Sequence, residues 1–510
     1  MSSMADVEVL IVGAGFSGIC MAIKLLEASL SSFVILERCS DIGGSWFFNR
    51  YPGCRSDIPG HFYCYSFARN PSWTTMYPSR SELHQYLKDC ASLHGVLPKI
   101  RFNTVATSAT WNAVDSLWRV EVKETLPYPS SEWSAEPPQV VRTSVILARY
   151  VIRAVGGLHL PNYPDIPGVE NFTGMSLHSS LWPDNGINLK GKTVAIMGTG
   201  ASGIQLVPAL APDVEKLYVL QRSGAWVVPK PPNCTFSKRT RQCFAQFPFL
   251  MFLFYWILFL LHELIIWWVL EWRYIRRIGE WLVRWNMRRT IKCPDLLRKL
   301  EPTYEMGCKR ILLSNDFYPA FARPNVNLIR ESVLEIREKS LILSSDDGAP
   351  EKKTREIPID VLIYATGFKL TSDLQVVGRC GIDFNSAGFS TLLGITKHGF
   401  PNFFMLFGFN TGVAQTSQIL TIEAQVRYIV QCLGLMKQRG ARSMEARTAS
   451  EKRHQDFISQ QLPKVVWTTG GCSSWYNAPG THHNFAMWPA STMEYLRRSR
   501  NVDPQHYLIQ

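Results

Sequence analysis

The sequence has no pair of cysteines spaced as C-x-x-C, although its 510 residues include 12 cysteines. This absence argues against a zinc ribbon and a dithiol redox site, and no metal site is expected. The scatter of the cysteines does not indicate a disulfide framework, so free thiols in a reducing compartment are expected. The segment 1–6 is short and polar, and a strand-like run follows it directly, so a secretory signal peptide is not expected. The sequence predicts a protein that is cytoplasmic or peripherally attached to a membrane, and not secreted.

The chain also has little charge, because Asp, Glu, Lys and Arg make up only 19% of its residues. Hydrophobic residues reach 46% and aromatic residues 12%, with 16 tryptophans. This composition excludes a disordered chain and suits a large enzyme with aromatic-lined cavities. The length predicts about three domains or lobes, at roughly 150 residues each.

The net charge of +13 is unevenly distributed along the chain. Residues 271–310 contain eleven Lys or Arg and five Asp or Glu, which places +6 of the net charge in this stretch. No DNA- or RNA-binding signature accompanies it, so nucleic acid is not expected as a partner.

The basic stretch follows the most apolar segment, residues 247–270, which is long enough to span a bilayer by the usual requirement of roughly 20 residues. Two alternatives to a span stay open. The segment is either a helix buried in the protein, or an aromatic-rich helix in the membrane interface with Arg273, Arg276 and Arg277 at the headgroups. The second alternative predicts peripheral membrane contact through 247–277.

A dinucleotide-binding fingerprint opens the chain. The apolar run 7–12 leads into a glycine-rich turn, a helix-like segment and a second strand-like run that ends at Glu37. In such a turn the glycines permit a tight bend, close approach of the pyrophosphate and close packing of helix on strand, while the acid binds a ribose diol. The predicted FAD-binding residues of this unit are Gly13, Gly15, Ser17, Gly18 and Glu37.

The same unit recurs after residue 193, but the position of the acid is now occupied by Arg222. An acid would repel a 2′-phosphate, whereas a guanidinium holds it through charge-assisted hydrogen bonds. The second turn is therefore expected to bind NADPH. Its predicted cofactor-binding residues are Gly198, Thr199, Gly200, Ala201, Ser202, Gly203, Arg222 and Ser223.

Two dinucleotide turns in one chain indicate a flavoprotein that NADPH reduces. The predicted fold class is α/β, with two Rossmann-like, doubly wound dinucleotide-binding domains and a helical insertion. We expect an FAD-binding domain from 1–160 and 375–510, and an NADPH-binding domain from 161–230 and 301–374. The helical, apolar and basic insertion then covers 231–300.

One motif between the two turns narrows the chemistry. Residues 172–184 read F-x-G-x-x-x-H-x-x-x-W-P-D, with Phe172, Gly174, His178, Trp182, Pro183 and Asp184 at the defining positions. This motif resembles the fingerprint of type I Baeyer–Villiger monooxygenases, within the flavin-containing monooxygenase superfamily. Relatives that oxygenate nitrogen or sulfur usually carry Tyr or Phe in place of Trp182. The resemblance implies a role for His178 between domains rather than as an acid or base.

The resemblance extends over nearly the whole chain and implies roles for further residues. Lys309 is implied to hold the NADPH phosphate, and Arg310 to be the catalytic cation, oriented by Asp57. His159 and Phe409 depart from residues that are common in the family, which leaves the substrate class open. The residues implied to lie at FAD are Gly44, Ser45, Trp46, Arg55, Ser56, Asp57, Tyr63 and Val105.

The implied reaction is a Baeyer–Villiger oxidation. NADPH reduces FAD, O₂ forms a C4a-peroxyflavin, and one oxygen is inserted next to the carbonyl of a small, hydrophobic ketone to give an ester or lactone. The alternative is an N- or S-oxygenating monooxygenase of the same superfamily. The lack of a paired-cysteine motif disfavours a flavin-dependent dithiol reductase, and the intact charged residues argue against an inactive binding module.

This function constrains the apolar segment. Arg222 precedes the segment and Lys309 and Arg310 follow it, yet all three are expected to contact one NADPH. A single span would place them on opposite sides of a bilayer, so residues 247–270 are not expected to cross.

Overall fold

The computed structural model of the chain describes residues 4–127, 138–344, 354–369, 373–414, 416–478, 480–481 and 483–510. The strands are β1 (Val7–Val12), β2 (Phe33–Leu36), β3 (Ile100–Arg101), β4 (Thr104–Asn112), β5 (Leu117–Thr125), β6 (Val140–Arg153), β7 (Leu160–Pro161), β8 (Met175–His178), β9 (Thr193–Met197), β10 (Lys216–Leu220), β11 (Val227–Val228), β12 (Leu312–Leu313), β13 (Val326–Ile329), β14 (Ser332–Arg337), β15 (Ser340–Ser344), β16 (Thr354–Pro358), β17 (Val361–Tyr364), β18 (Phe368–Lys369), β19 (Gln375–Val377), β20 (Phe403–Met405), β21 (Met444–Ala446) and β22 (Tyr507–Ile509). The α-helices are α1 (Phe16–Glu27), α2 (Ser45–Phe48), α3 (Arg80–Leu93), α4 (Gly203–Leu210), α5 (Lys238–Gln246), α6 (Pro248–Ile266), α7 (Arg273–Thr290), α8 (Pro294–Leu300), α9 (Phe317–Ala320), α10 (Gln418–Arg439), α11 (Thr448–Gln461), α12 (Val466–Thr469) and α13 (Thr492–Arg498).

The first sheet has eight strands in the order β19-β4-β5-β6-β1-β2-β3, with β20 beside β6. Strands β1, β2 and β3 are parallel, whereas β4, β5 and β6 form an antiparallel meander. Apolar residues fill both faces of β1, with Ile11 in one core cluster and Leu10 in another. A strand covered on both faces reads as an unbroken apolar run, which is why the sequence of β1 does not alternate. Helix α10, from the C-terminal part of the chain, packs on α1.

The second sheet is fully parallel, in the order β13-β10-β9-β17-β8. Val194 of β9 lies between Leu217 and Val361 of its neighbours, and all three are buried in one core. A separate core cluster covers the opposite face of this sheet. Two sheets, each with its own cores, confirm the predicted α/β class with two Rossmann-like units.

The chain passes between the two sheets at one joint. Strand β7 follows the first sheet and pairs antiparallel with β18, which leads back from the second sheet. The two crossing segments therefore lie side by side, and they bring the ends of β6 and β17 into one region.

The segment between β11 and β12 is helical and consists of α5, α6, a π-helical turn at Trp267–Glu271, α7 and α8. These helices give the helical insertion of the predicted fold class. One face of α6 packs on the first nucleotide-binding unit through Phe62 and Ile58.

Candidate active site

The first glycine-rich turn has the geometry that a dinucleotide requires. Gly13 has φ +106°, and a Cβ atom there would lie 2.7 Å from the carbonyl oxygen of Ala154. A side chain at Gly18 would collide with the carbonyl of Gly13, so helix and strand pack closely only with glycine. Gly15 precedes α1 without a side-chain cap, and its backbone faces that of Gly44. The uncapped amides at this helix end fit the pyrophosphate of FAD.

Glu37 lies buried at the end of β2, beside the first turn. Its carboxylate accepts hydrogen bonds from the Ala14 amide at 2.7 Å and the Cys39 amide at 3.0 Å. Burial raises the pKa of Glu37, and the two amide donors oppose this effect. The carbonyl of Glu37 accepts from the Thr104 amide, which places the neighbouring Val105 at the same edge. A carboxylate has about four acceptor positions, so Glu37 can still accept from a ribose diol.

A second group of predicted residues surrounds the first turn. Ser17 is buried in the first turn of α1, and Ser45 begins α2 directly after Gly44. Trp46 donates from Nε1 to the Tyr63 hydroxyl at 3.3 Å, and burial raises the pKa of Tyr63 to about 12. These residues lie beside the first turn, since Gly44 approaches Gly15 and the Tyr63 ring contacts that of Phe16, and they would contribute to holding a flavin.

The second turn repeats the geometry of the first. Gly198 has φ +109° and approaches the carbonyl of Ala365, as Gly13 approaches that of Ala154. A Cβ at Gly203 would collide with the carbonyl of Gly198, whereas one at Gly200 would meet no heavy atom within 4 Å. Ala201 and Ser202 complete the turn before α4, and Thr199 is buried with its hydroxyl 3.3 Å from Gln221 Oε1. Gly200 therefore leaves the backbone accessible to a second pyrophosphate.

Three polar side chains converge near the end of β10. Lys309 Nζ lies 3.2 Å from the Ser223 hydroxyl, although the two residues are 86 positions apart. Burial lowers the pKa of Lys309, and the nearby charge of Arg222 lowers it further. Two neighbouring cations that influence each other's charge, one of them bonded to a hydroxyl, suit a doubly charged phosphate.

Arg310 and Asp57 form an ion pair between the two units. Arg310 Nη2 donates to Asp57 Oδ2 at 2.6 Å, and 38% and 29% of the two side chains remain exposed. Burial is the largest single influence and raises the pKa of Asp57, but the charge and hydrogen bond of Arg310, together with a backbone hydrogen bond and the charge of Lys230, lower the pKa below its usual value. Asp57 in turn raises the pKa of Arg310. The guanidinium keeps its charge at any working pH and has further N–H groups for a reacting oxygen.

Asp57 is held by its neighbours in sequence. The Ser56 hydroxyl donates to the Ile58 carbonyl at 2.8 Å and accepts from the Ile58 amide at 3.0 Å, which closes a tight turn around Asp57. Arg55 and Asp57 both influence the pKa of Lys230, which burial lowers. The turn thus presents Asp57 to Arg310, with Lys230 close enough to feel its charge.

The residues of the 172–184 motif lie at the joint between the sheets. His178 is fully buried, with Nε2 3.0 Å from the Gly367 carbonyl and Nδ1 2.8 Å from the Ser180 hydroxyl. Burial lowers the pKa of His178 to about 4, so the ring is neutral and links the motif to the returning chain. A Cβ at Gly174 would lie 2.5 Å from both the Asp360 carbonyl and the Phe172 ring.

The end of the motif contacts the first unit. Trp182 is buried in a core cluster that also contains Tyr51, and Asp184 pairs with Arg50. Pro183 accepts a turn hydrogen bond from the Gly186 amide. The motif therefore ties the two nucleotide-binding units together beside the site.

The chain is similar to known proteins over nearly its full length. A family model described as flavin-binding monooxygenase-like matches residues 6–375. A Baeyer–Villiger monooxygenase of Pseudomonas aeruginosa is 34% identical, over 98% of this chain and 91% of the relative. One from Streptomyces coelicolor is also 34% identical, over 99% and 92%. The chain belongs to the Baeyer–Villiger monooxygenases.

The solved structures agree with this membership. The cyclohexanone monooxygenase from Rhodococcus sp. Phi1 bound to NADP+ has 25% identity and a TM-score of 0.84, with both chains fully covered. The predicted family, fold class and enzyme class are confirmed. The predicted cofactors FAD and NADPH agree with the flavin-binding family model and with the structure bound to NADP+.

Three residues that contact the candidate site of this Baeyer–Villiger monooxygenase were not predicted from the sequence. Gln205 of α4 accepts from the Tyr51 hydroxyl at 3.0 Å and donates to the Arg55 carbonyl at 3.1 Å, so it joins the second turn to the 51–57 segment. Lys230 lies near Asp57, and Arg50 pairs with Asp184. The partners of these side chains lie more than 100 positions away, and no local pattern marks such pairs.

The expectation of free thiols is wrong for two cysteines of the monooxygenase. Cys308 and Cys472, which are 164 residues apart in sequence, form a disulfide. Cys308 directly precedes Lys309 and Arg310. The pairing depends on a loop of the C-terminal segment folding onto the Arg310 loop, where the Glu305 amide donates to the Gly470 carbonyl. Sequence spacing contains no sign of this approach. The other ten cysteines are free.

Proposed function

We propose that the monooxygenase inserts one O₂-derived oxygen next to the carbonyl of a hydrophobic ketone, with FAD and NADPH, to give an ester or lactone. The observation that carries this proposal is the Arg310–Asp57 ion pair, which lies between the two dinucleotide turns. Reduced FAD, when bound, supplies the activation of O₂, and NADPH supplies the electrons. The protein then has to bind, orient and exclude water around the reacting atoms.

Arg310 is proposed as the catalytic cation. Negative charge on oxygen during attack at a ketone carbonyl is costly in a site shielded from water unless a donor neutralises it. Arg310 provides a permanent charge, and its pairing with Asp57 fixes one edge of the guanidinium while other N–H groups stay exposed. Asp57 is proposed as the residue that orients Arg310.

The remaining predicted residues are proposed to bind the cofactors. The first turn, Glu37 and the side chains around Trp46 and Tyr63 hold FAD in this proposal. The second turn, Arg222, Ser223 and Lys309 hold NADPH, with the two cations at the 2′-phosphate. His178 is proposed to keep the joint between the units in place.

We also propose the division into domains that the sequence indicates. The FAD-binding domain comprises 1–160 and 375–510, which is supported by the pairing of β19 and β20 with strands of the first sheet. The NADPH-binding domain comprises 161–230 and 301–374, and the insertion comprises 231–300.

The partners are a small-molecule substrate and nucleotide cofactors, and the proposal adds that the substrate is a hydrophobic ketone. We further propose that the protein is cytoplasmic or peripherally associated with a membrane, with the membrane contact made through 247–277. The 3.2 Å contact between Ser223 and Lys309 supports a peripheral contact over a span, because these residues flank the apolar segment on opposite sides in sequence.

The test is product analysis with isotopically heavy O₂. Purified yellow protein is incubated with NADPH and a panel of cyclic ketones, aryl ketones and sulfides, and the products are identified by mass spectrometry. We expect an ester or lactone with one heavy oxygen, and a loss of about 10²- to 10³-fold in Arg310→Ala with NADPH oxidation retained.

Arg379→Ala is the matched control. Arg379 also forms an arginine–carboxylate pair, with 2.7 Å between its Nη2 and Glu445 Oε1, but this pair is not part of the proposed site. Sulfoxide as the sole labelled product would favour the heteroatom-oxygenating alternative. Unchanged ester formation in Arg310→Ala would refute the role of Arg310.

A further inference from the structure

Exposed apolar side chains are concentrated in one part of the molecule. Of the 32 large hydrophobic side chains that are exposed among the described residues, 16 lie between Phe247 and Trp285. Scattered exposed apolar residues are normal on a soluble protein, but a contiguous group of this size marks a contact surface. We call the outward faces of α6 and α7, with the residues that flank them, the outer apolar surface. It comprises Phe247, Phe249, Phe252, Leu253, Trp256, Ile257, Leu260, Leu261, Leu264, Ile265, Trp272, Tyr274, Ile278, Trp281, Leu282 and Trp285.

Helix α6 is apolar on both of its faces. Its inward residues Met251, Tyr255, Leu258 and Phe259 recur at helical spacing and are buried. The equally apolar residues Phe252, Leu253, Trp256 and Ile257 are exposed. Only 24% of the most apolar window of this helix and its π-turn is buried, against 61% for α10, the other helix long enough to cross a membrane among the described residues. A helix that is hydrophobic all round needs an apolar partner on each side. The alternative of a fully buried helix is therefore excluded.

Helix α7 adds an aromatic stripe with charges along its edges. Tyr274, Ile278, Trp281 and Trp285 share one exposed face, and the opposite face is buried through Val283 and Met287. Exposed arginines border the stripe at 277, 288 and 289. Arg277 and Arg288 make no ion pair with any described residue. Tryptophan beside unpaired arginine is the composition of a protein surface that rests on lipid headgroups.

The inward side of the same helices covers the proposed catalytic pair. Phe62, five residues after Asp57, packs on Tyr255 and Phe259, and its ring lies 5.2 Å from that of His262. At the other end, the π-turn reaches the loop of Arg310, because a Cβ at Gly307 would lie 2.9 Å from Val269 Cγ1. One helix thus exposes an apolar face outward and lies over the segments of both Asp57 and Arg310 inward.

We infer that the outer apolar surface binds the surface of an anionic bilayer, and that the ketone reaches the site from that bilayer past α6. This inference rests on the proposed function for the identity of the substrate. The positive charge of the 271–310 stretch favours lipid over a second copy of the chain, since a symmetric pair would bring the same unpaired arginines together. A bilayer offers acyl chains to the aromatic residues and anionic headgroups to the arginines at the same time.

The test uses the full-length yellow protein in vesicle flotation. Vesicles of phosphatidylcholine alone are compared with vesicles of phosphatidylcholine and phosphatidylserine in equal amounts. We expect binding to the mixed vesicles, a loss of about fivefold in affinity for each of Arg277→Gln and Arg288→Gln, and a larger loss in Trp281→Glu/Trp285→Glu. Leu93→Glu and Arg453→Gln are the matched controls, since both residues are exposed and lie outside the insertion.

The second measurement is product formation from a long-chain ketone dissolved in the vesicles, compared with a water-soluble ketone. We expect the tryptophan variant to lose the first activity in proportion to its binding and to keep the second. Retained flavin absorbance and NADPH oxidation show that the variant is folded. Failure of both ketones in the wild type would count against the proposed function, whereas vesicle binding would remain readable by flotation.

Two outcomes would overturn the inference. Equal flotation of the tryptophan variant and the wild type would show that the surface does not bind lipid. A wild-type dimer in light scattering that becomes monomeric in the same variant, without vesicle binding, would assign the surface to a second copy of the chain.

Discussion

The Arg310–Asp57 pair yields a quantitative prediction for the variant Asp57→Asn. Asparagine keeps the shape of the side chain and an acceptor for Arg310 Nη2, but it removes the negative charge. For charge centres about 4 Å apart, the interaction is about 1 kcal/mol in water and about 4 kcal/mol at an effective dielectric constant of 20. Because 38% of Arg310 and 29% of Asp57 remain exposed, we discount this range for solvent screening.

The discounted value of about 1–2 kcal/mol corresponds to a loss of about 5- to 30-fold in oxygenation, if orientation of Arg310 is the only role of Asp57. The assay measures ester formation, NADPH oxidation and hydrogen peroxide in the same reaction. We expect ester to fall and peroxide to rise while NADPH oxidation stays within about twofold, since less oxygen is transferred to the ketone. Glu445→Gln, in the pair with Arg379, is the matched control and should leave this partition unchanged. Unchanged ester and peroxide in Asp57→Asn would refute the view that Asp57 orients Arg310.

Three further predictions concern the cofactor turns and the joint. Arg222→Gln should raise the KM for NADPH by about 10- to 100-fold, the strength of a charge-assisted hydrogen bond, and leave the KM for NADH unchanged; an equal rise for both would place Arg222 away from the 2′-phosphate. Gly13→Ala should give colourless protein because the added Cβ would lie 2.7 Å from the Ala154 carbonyl, whereas Gly95→Ala, also at positive φ but with no atom within 4 Å, should stay yellow. Burial lowers the pKa of His178 from 6.5 to about 4, so the unfolded chain binds more protons in this window. His178 should therefore cost up to about 3 kcal/mol of stability as pH falls from 6.5 to 4. When thermal unfolding is measured across this range, the stability of His178→Gln should fall less steeply with falling pH than that of the wild type. An identical pH dependence of stability in the two proteins would contradict the assignment.

The local geometry of the two glycine-rich turns could be predicted from the sequence, whereas the cofactor-binding and catalytic roles of the site residues stay predictions. Each glycine turn is determined by residues within about ten positions, so its glycines and flanking strands can be identified without a structure. The two turns indeed share one geometry, with Gly13 and Gly198 each placed against the end of another strand of its sheet. The resemblance of residues 172–184 to a family motif identified the joint, because such motifs retain spacing.

The parts that could not be predicted depend on contacts between residues that are far apart in the sequence. Gln205 meets Tyr51 and Arg55 only because α4 packs on the 51–57 segment, and Asp184 meets Arg50 across the same boundary. Composition suggested that the 247–270 segment was either buried or interfacial, since helix length and hydropathy are the same in both cases. Only the packing of Phe62 on one side of α6 distinguishes the inward face from the outward one.

The disulfide has a consequence for the connectivity of the molecule. Cys308 and Cys472 close a covalent ring that contains β18, β19, β20 and α10, and thus most of the chain that returns to the first sheet. A single proteolytic cut anywhere between these two cysteines would leave both fragments attached to each other. Such a nicked protein would migrate as one band in a denaturing gel and as two bands after reduction. The loop that carries Arg310 is thus held by its own backbone and also, at Cys308, by a sulfur bridge to a segment 164 residues further along the chain.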